Sequence, residues 1–275
     1  MMYSRTRLAQ KYLRYYLTAA NGKGHGIHSP FVFDFVQKVL NDRHHYPEYT
    51  SIETLRSRLR RDDTLLTIED MGAGSAWEGQ SEGVTPADNL RRRSMAEIAR
   101  SAAKPPRLSQ LLFRLARYYQ PAGIIELGTS LGLSTAYLAA GSPAAKVWSI
   151  EGAAPVAEAA RNNLQSLSLH PEVLTGNFDE VLGPLLEKTG PVDLAFIDGN
   201  HRCAPTLNYF NAILPRTSPC SVMIFDDIHW SSEMEEAWTT IKNDPRVYLT
   251  IDLFFLGFVF RRDEFKVKQD FIIRF

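Results

Sequence analysis

The densest chemistry in the chain lies between Gly123 and Glu151, which opens G-I-I-E-L-G-T-S-L-G-L-S. Gly128 and Gly132 let the backbone turn sharply and approach a ligand where a side chain would clash. Thr129, Ser130 and Ser134 add hydroxyls, and a helix opening near Leu133 adds N–H groups that have no partner within the helix. Glu126 stands just before the turn. A carboxylate there repels a pyrophosphate but accepts hydrogen bonds from the ammonium group of an amino-acid-like cofactor. Glu151 comes 25 residues later, at the end of the next apolar run, where it can accept from both hydroxyls of a ribose. An NAD-binding unit is the alternative, but its G-x-G-x-x-G needs a middle glycine where this chain has Ser130.

A second cluster comprises I-D-G-N-H (Ile197–His201) and F-D-D-I-H-W (Phe225–Trp230). Each begins at the C-terminal end of an apolar run that reads as a buried parallel strand, the edge where open α/β sheets bind ligands. Asp198, Asp226 and Asp227 offer oxygen donors of the kind a hard cation such as Mg²⁺ takes. His229 is a candidate base, and Trp230 a pocket wall or packing residue. Cys203 reads as packing, since a reactive thiol needs electropositive surroundings.

The elements that must position these groups follow from periodicity. Strands are expected at 123–127, 146–150, 172–175, 192–197, 220–226, 247–254 and 256–261, with helices at 133–140, 155–167, 178–188, 204–214 and 231–243. The last two strands are separated by little more than a residue, which makes them an antiparallel pair at a sheet edge. The fold class is therefore α/β: a Rossmann-like, doubly wound, mostly parallel seven-stranded sheet with an antiparallel edge strand. It occupies residues 107–275, behind a helical N-terminal extension at 1–106.

Within the extension, residues 4–20 pattern as a helix with an aromatic face, docked on the body rather than lying on a membrane. Ser29 caps a second helix with Pro30 at its first position, Ser51 caps a third over 51–62, and Arg91–Arg93 opens a fourth. His44 and His45 are adjacent and read as surface residues. Thr64–Ser75 (T-L-L-T-I-E-D-M-G-A-G-S) imitates a strand and cofactor loop, but no helix and second acidic strand follow it, so Gly72–Ser75 is taken as an ordered turn. The extension is expected to close over the cofactor and influence substrate choice.

Bulk properties exclude several classes. Lys plus Arg and Asp plus Glu are 31 each, so no net field favours nucleic acid or an anionic membrane. Two cysteines support no disulfide framework. No signal-peptide pattern or apolar run of membrane-spanning length is present, so a cytoplasmic protein without stable membrane insertion is expected. Its partner would be a small-molecule substrate, with a homodimer left open.

On Glu126, Gly128, Gly132 and Glu151 the chain resembles the class I S-adenosylmethionine-dependent methyltransferases, over about residues 107–262. The resemblance implies that the acid–glycine motif cradles the methionine part of S-adenosylmethionine and that Glu151 binds its ribose. It also implies that Asn177 and Phe178, in the run Gly176–Asp179, face the adenine. The second cluster is similar to the metal-dependent O-methyltransferases of the catechol and caffeoyl-coenzyme A type, where the fourth strand ends in a metal-binding Asp and the fifth in Asp-Asn. Here the second residue of that pair is Asp227, a departure that leaves the metal open. The likeness places Asp198 at both metal and cofactor. His201, three residues on, stands where the family carries its base; an imidazole suits that role. The implied activity is methyl transfer to a hydroxyl of a small molecule. A non-catalytic, cofactor-binding interaction protein and an NAD-linked oxidoreductase are the competing readings.

Overall fold

The computed structural model describes residues 2–69 and 90–275, and the Gly72–Ser75 turn lies outside them. The chain forms two compact units, Met1–Arg43 with Thr189–Phe275, and His44–Lys188.

The first unit opens with α1 (Arg5–Thr18), whose N-cap Ser4 accepts from the Arg7 N–H. Then comes α2 (Pro30–Phe35), with Ser29 as cap and Pro30 in its first turn, as the sequence requires. It runs on into one wide turn at Val36–Leu40, and Phe35, Val36 and Val39 are fully buried.

In the second unit, α3 spans Pro47–Leu59. It starts four residues before the expected Ser51 cap, because Pro47 supplies the fixed φ of a first helical residue. Strands β1 (Leu65–Glu69) and β2 (Leu90–Ser94) pair antiparallel. Arg91–Arg93 therefore lie in a strand rather than opening a helix. The helix start belongs to Ser94, which forms a capping box with Glu97 at the head of α4 (Met95–Ser101). Helix α5 (Pro106–Tyr119) precedes the α/β part: β3 (Gly123–Leu127), α6 (Leu133–Gly141), β4 (Lys146–Glu151), α7 (Ala154–Ser166), β5 (Glu172–Thr175) and α8 (Phe178–Lys188). Strands β3, β4 and β5 are parallel neighbours in that order. All five residues of β3 are buried, as a two-sided parallel strand must be. The core joins α3, α4, α5, α6 and α7 around Tyr49, Phe113, Tyr137 and Leu164.

The first unit resumes with β6 (Val192–Ile197), α9 (Cys203–Ile213), β7 (Thr217–Asp226), α10 (Ser232–Asn243), β8 (Leu249–Asp252), β9 (Leu256–Phe260) and β10 (Gln269–Ile272). Its strands run in the order β10-β8-β9-β7-β6. Only β9 is antiparallel to its neighbours β7 and β8. The expected antiparallel pair is present, with its position corrected. It does not form the edge: β9 sits between β7 and β8, and β10, an eighth strand in the segment read as a tail, pairs parallel outside β8. Alternating exposure along β10 marks it as the outermost strand. Among the described residues no helix is long and apolar enough to cross a membrane.

Candidate active site

The turn after β3 is built from three left-handed residues, Gly128 (φ 103°), Ser130 (φ 48°) and Gly132 (φ 82°). The Gly128 and Thr129 N–H groups both donate to the Ile150 carbonyl of β4, at 2.9 and 3.2 Å. Gly132 then caps α6, and a Cβ there would lie 3.1 Å from Leu164 Cγ on α7. Gly132→Ala meets both the left-handed φ and that contact, so it should cost about 1–3 kcal/mol of stability, read by urea denaturation. An unchanged midpoint would contradict this account.

Beneath the turn, Glu126 is fully buried. Its Oε2 accepts from Ser149 Oγ at 2.7 Å and Thr135 Oγ1 at 2.5 Å, and Thr129 Oγ1 lies 2.5 Å from Ser149 Oγ. Glu126 thus organises a hydroxyl cluster under the loop. Thr129 and Thr135 are also fully buried, while Gly128, Ser130 and Ser134 keep partial exposure.

Glu151, the last residue of β4, reaches back to the loop. Its Oε2 accepts from the Ser130 N–H at 2.8 Å, and its Oε1 from the Ala153 N–H at 3.0 Å. Burial raises its pKa above the usual carboxylate value, against the lowering effect of N–H groups of Ala153, Ser130 and Gly152. This latch between the two motifs escaped sequence reasoning, since side-chain-to-loop contacts leave no periodic signal. Asn177 precedes α8 and its Oδ1 accepts from the Asp179 N–H at 3.1 Å, a helix-start arrangement. Phe178 is partly buried at the first position of α8.

In the other unit, Asp198 follows β6 and Asp226 ends β7, with Asp226 3% exposed. His201 Nε2 lies 3.8 Å from Asp198 Oδ1, beyond a hydrogen bond. One ligating atom from each of Asp198, His201 and Asp226 falls within 4.8 Å of the others. Among the described residues this group contains His201, where the sequence pattern points to Asp198, Asp226 and Asp227. Asp227 enters a turn with φ 52°, its N–H given to the Phe255 carbonyl at 2.7 Å. His44 and His45 are exposed and belong to no such group among the described residues.

Both ring nitrogens of His229 face carboxylates. Its Nδ1 lies 3.0 Å from Glu235 Oε1 and its Nε2 2.8 Å from Asp252 Oδ2, with the ring stacked on Phe254. Burial disfavours its charge, but the hydrogen bonds and charges of Asp252 and Glu235 win, so its pKa is raised. A raised folded pKa stabilises most below the unfolded value near 6.5, and that stabilisation is lost as pH rises through the folded value. The melting temperature should therefore fall on the alkaline side of pH 6.5 by more in the native protein than in His229→Gln; parallel curves would refute the pair's contribution. Cys203 fits its packing role: burial first, then the Glu236 and Glu233 charges, push its thiol pKa up.

Residues 125–228 match the family model described as a methyltransferase domain. That span holds both strand-end motifs. The resemblance to the S-adenosylmethionine-dependent O-methyltransferases is borne out. Among curated proteins, a catechol O-methyltransferase of Niastella koreensis is 29% identical over 140 residues, 49% of this chain and 62% of that protein. The chain thus matches less than two thirds of that relative's length. Among solved structures, the O-methyltransferase from Bacillus cereus in complex with S-adenosylhomocysteine superposes with a TM-score of 0.54 at 22% identity, over 84% of this chain and 97% of that one. The S-adenosylhomocysteine-bound methyltransferase PaMTH1 of Podospora anserina gives 0.55 at 14% identity, over 86% and 97%. The chain has the Rossmann-like methyltransferase fold, with a mostly parallel sheet and N-terminal helices.

Proposed function

We propose that the chain transfers the methyl group of S-adenosylmethionine to a hydroxyl oxygen of a small molecule. The observation that carries this reading is that one methyltransferase-domain match, over 125–228, contains the glycine turn, Glu151 and the whole Asp198–His201–Asp226 group. On the cofactor side, the partly exposed Gly128, Ser130 and Ser134 would meet the methionine portion and Glu151 the ribose. Asn177 and Phe178 would flank the adenine. The buried Glu126 and Thr129 would hold the loop in shape, a supporting role that their burial favours.

The two carboxylates of the group, Asp198 and Asp226, offer oxygen donors that fit a hard divalent cation such as Mg²⁺. Asp198 and Asp226 would hold it, and when bound such an ion supplies Lewis-acid polarisation of a hydroxyl oxygen. His201, its ring about a third exposed, would take the acceptor's hydroxyl proton. S-adenosylmethionine, held at the glycine turn and Glu151, would supply the methyl group, the acceptor oxygen forming a C–O bond as the C–S bond breaks and its electron pair stays on sulfur. The donor is already activated, so the protein's main contribution is alignment.

The test is isothermal calorimetry with S-adenosylmethionine and NAD, followed by turnover of catechol-type hydroxyl acceptors with and without Mg²⁺. Binding of S-adenosylmethionine with methylated product is expected. Binding of NAD alone, or cofactor binding without any methylated product across the panel, would overturn the reading.

A further inference from the structure

The segment Asp226–Ser231 carries one member of the carboxylate–imidazole group and is held from outside itself. Its Asp227 N–H donates to Phe255 in the β8–β9 turn, and Trp230 closes the turn by donating to the Asp227 carbonyl at 2.9 Å. The Trp230 carbonyl in turn accepts from the Tyr3 N–H at 3.2 Å, and Met2 bridges Ser231. The side chain of His229 ties the segment to Glu235 of α10 and to Asp252 at the end of β8, which also accepts from Trp238 Nε1 at 3.2 Å.

The beginning of the chain closes this network. Tyr3 OH donates to Glu235 Oε2 at 2.6 Å, and Lys11 Nζ donates to both Glu235 oxygens at 2.8 and 3.0 Å. Lys11 also sits 4.6 Å from the Tyr3 ring centroid, so the two residues brace each other. One residue further, Tyr12 meets Phe254 edge-on with centroids 5.1 Å apart, and Phe254 is the ring on which His229 stacks. Tyr15 OH donates to the Ile273 carbonyl after β10, fixing the far end of the helix. Helix α1 contains four basic residues and no acid. It therefore approaches Glu235 as a donor only, and Lys11 and His229 share one carboxylate whose pKa, despite burial, is held down by Lys11, Tyr3 and His229.

We infer that α1, through Tyr3 and Lys11 acting on Glu235 and His229, is a positioning element for the Asp226–Ser231 segment. Tyr3, Lys11 and His229 are positioning residues for the acceptor-side group rather than catalytic ones. This rests on the proposed methyl transfer for its functional meaning, but the mechanical claim stands on the contacts alone. The carboxylate Asp226 is fixed on the β7 side by the sheet; on the other side the segment is held by Met2, Tyr3 and Lys11, more than 200 residues away in sequence.

The test compares the full-length protein with Lys11→Met and with the double variant Tyr3→Phe/Lys11→Met. Hydrogen exchange at Asp227–Trp230 should rise about tenfold, the factor that corresponds to losing one charge-assisted hydrogen bond. With catechol and Mg²⁺, kcat should fall by about the same factor while the calorimetric Kd for S-adenosylhomocysteine is unchanged. Lys11→Arg, which keeps the charge and donor, should restore both readings. Unchanged exchange at Asp227–Trp230 in both variants overturns the inference, as does faster exchange with unaltered kcat. Exchange needs no turnover, so an inactive native protein would count against the methyltransferase reading while the loop measurement still decides this one.

Discussion

Replacing His201 by alanine is expected to lower kcat by about 10²- to 10⁴-fold, the usual contribution of a positioned base, with calorimetric Mg²⁺ or Mn²⁺ affinity within about threefold of the native value, since a proton acceptor is not a ligand. His201 is placed for either role, because its Nε2 is 3.8 Å from Asp198, too long for a hydrogen bond, yet within the group that includes Asp226. The two roles separate on paired measurements. A base loses rate and keeps metal; a ligand loses both. Collapse of metal affinity in His201→Ala would reassign it as a third ligand beside Asp198 and Asp226. Retention of full activity would remove it from the chemistry.

Glu151→Gln is expected to weaken S-adenosylmethionine binding by about 10- to 100-fold, the span covered by hydrogen bonds to a charged group. The carboxylate has two jobs. It accepts from Ser130 and Ala153, fixing the left-handed loop, and in the proposed function it would also accept from the ribose hydroxyls. An amide keeps one acceptor oxygen and substitutes a donor for the other, so one backbone N–H loses its partner. The pH dependence gives a second check. Burial raises the Glu151 pKa above the ordinary carboxylate value, so the native protein should lose affinity as pH falls toward that value and the acid becomes neutral. Glu151→Gln should show a flat profile over the same window. Equal affinities at neutral pH, or parallel pH profiles, would contradict the role.

Local patterns were decisive wherever one stretch of chain carries its own signal. Ser29-Pro30 set a helix start, the apolar run at 192–197 became a buried strand, and the glycines at 128 and 132 took the positive φ values that only their position demands. The pair at 247–261 was legible as antiparallel because its connection is too short for a crossover. Where several conformations suit the same residues, the pattern misled. Arg91–Arg93 are acceptable in a helix, and pairing with Leu66–Ile68 drew them into a strand. The tail at 269–272 has weak alternation, and only the free edge of β8 made it β10.

What the sequence by itself determined was the fold class and the two strand-end motifs, because sheet topology places the ends of parallel strands together and the residue types at those ends declare their chemistry. What only the tertiary structure decided was which neighbours work together. Asp226 and Asp227 are neighbours in the string of letters, yet Asp226 lies with Asp198 and His201 while Asp227 enters a left-handed turn. Glu126 reads as a cofactor residue, and the fold also makes it the buried acceptor for the Ser149 and Thr135 hydroxyls. His229 reads as a base and folds as a doubly bonded strut between Glu235 and Asp252. The reason is common to all three: a side chain's role is set by the partners that fill its donor and acceptor positions, and those partners come from residues distant in the chain.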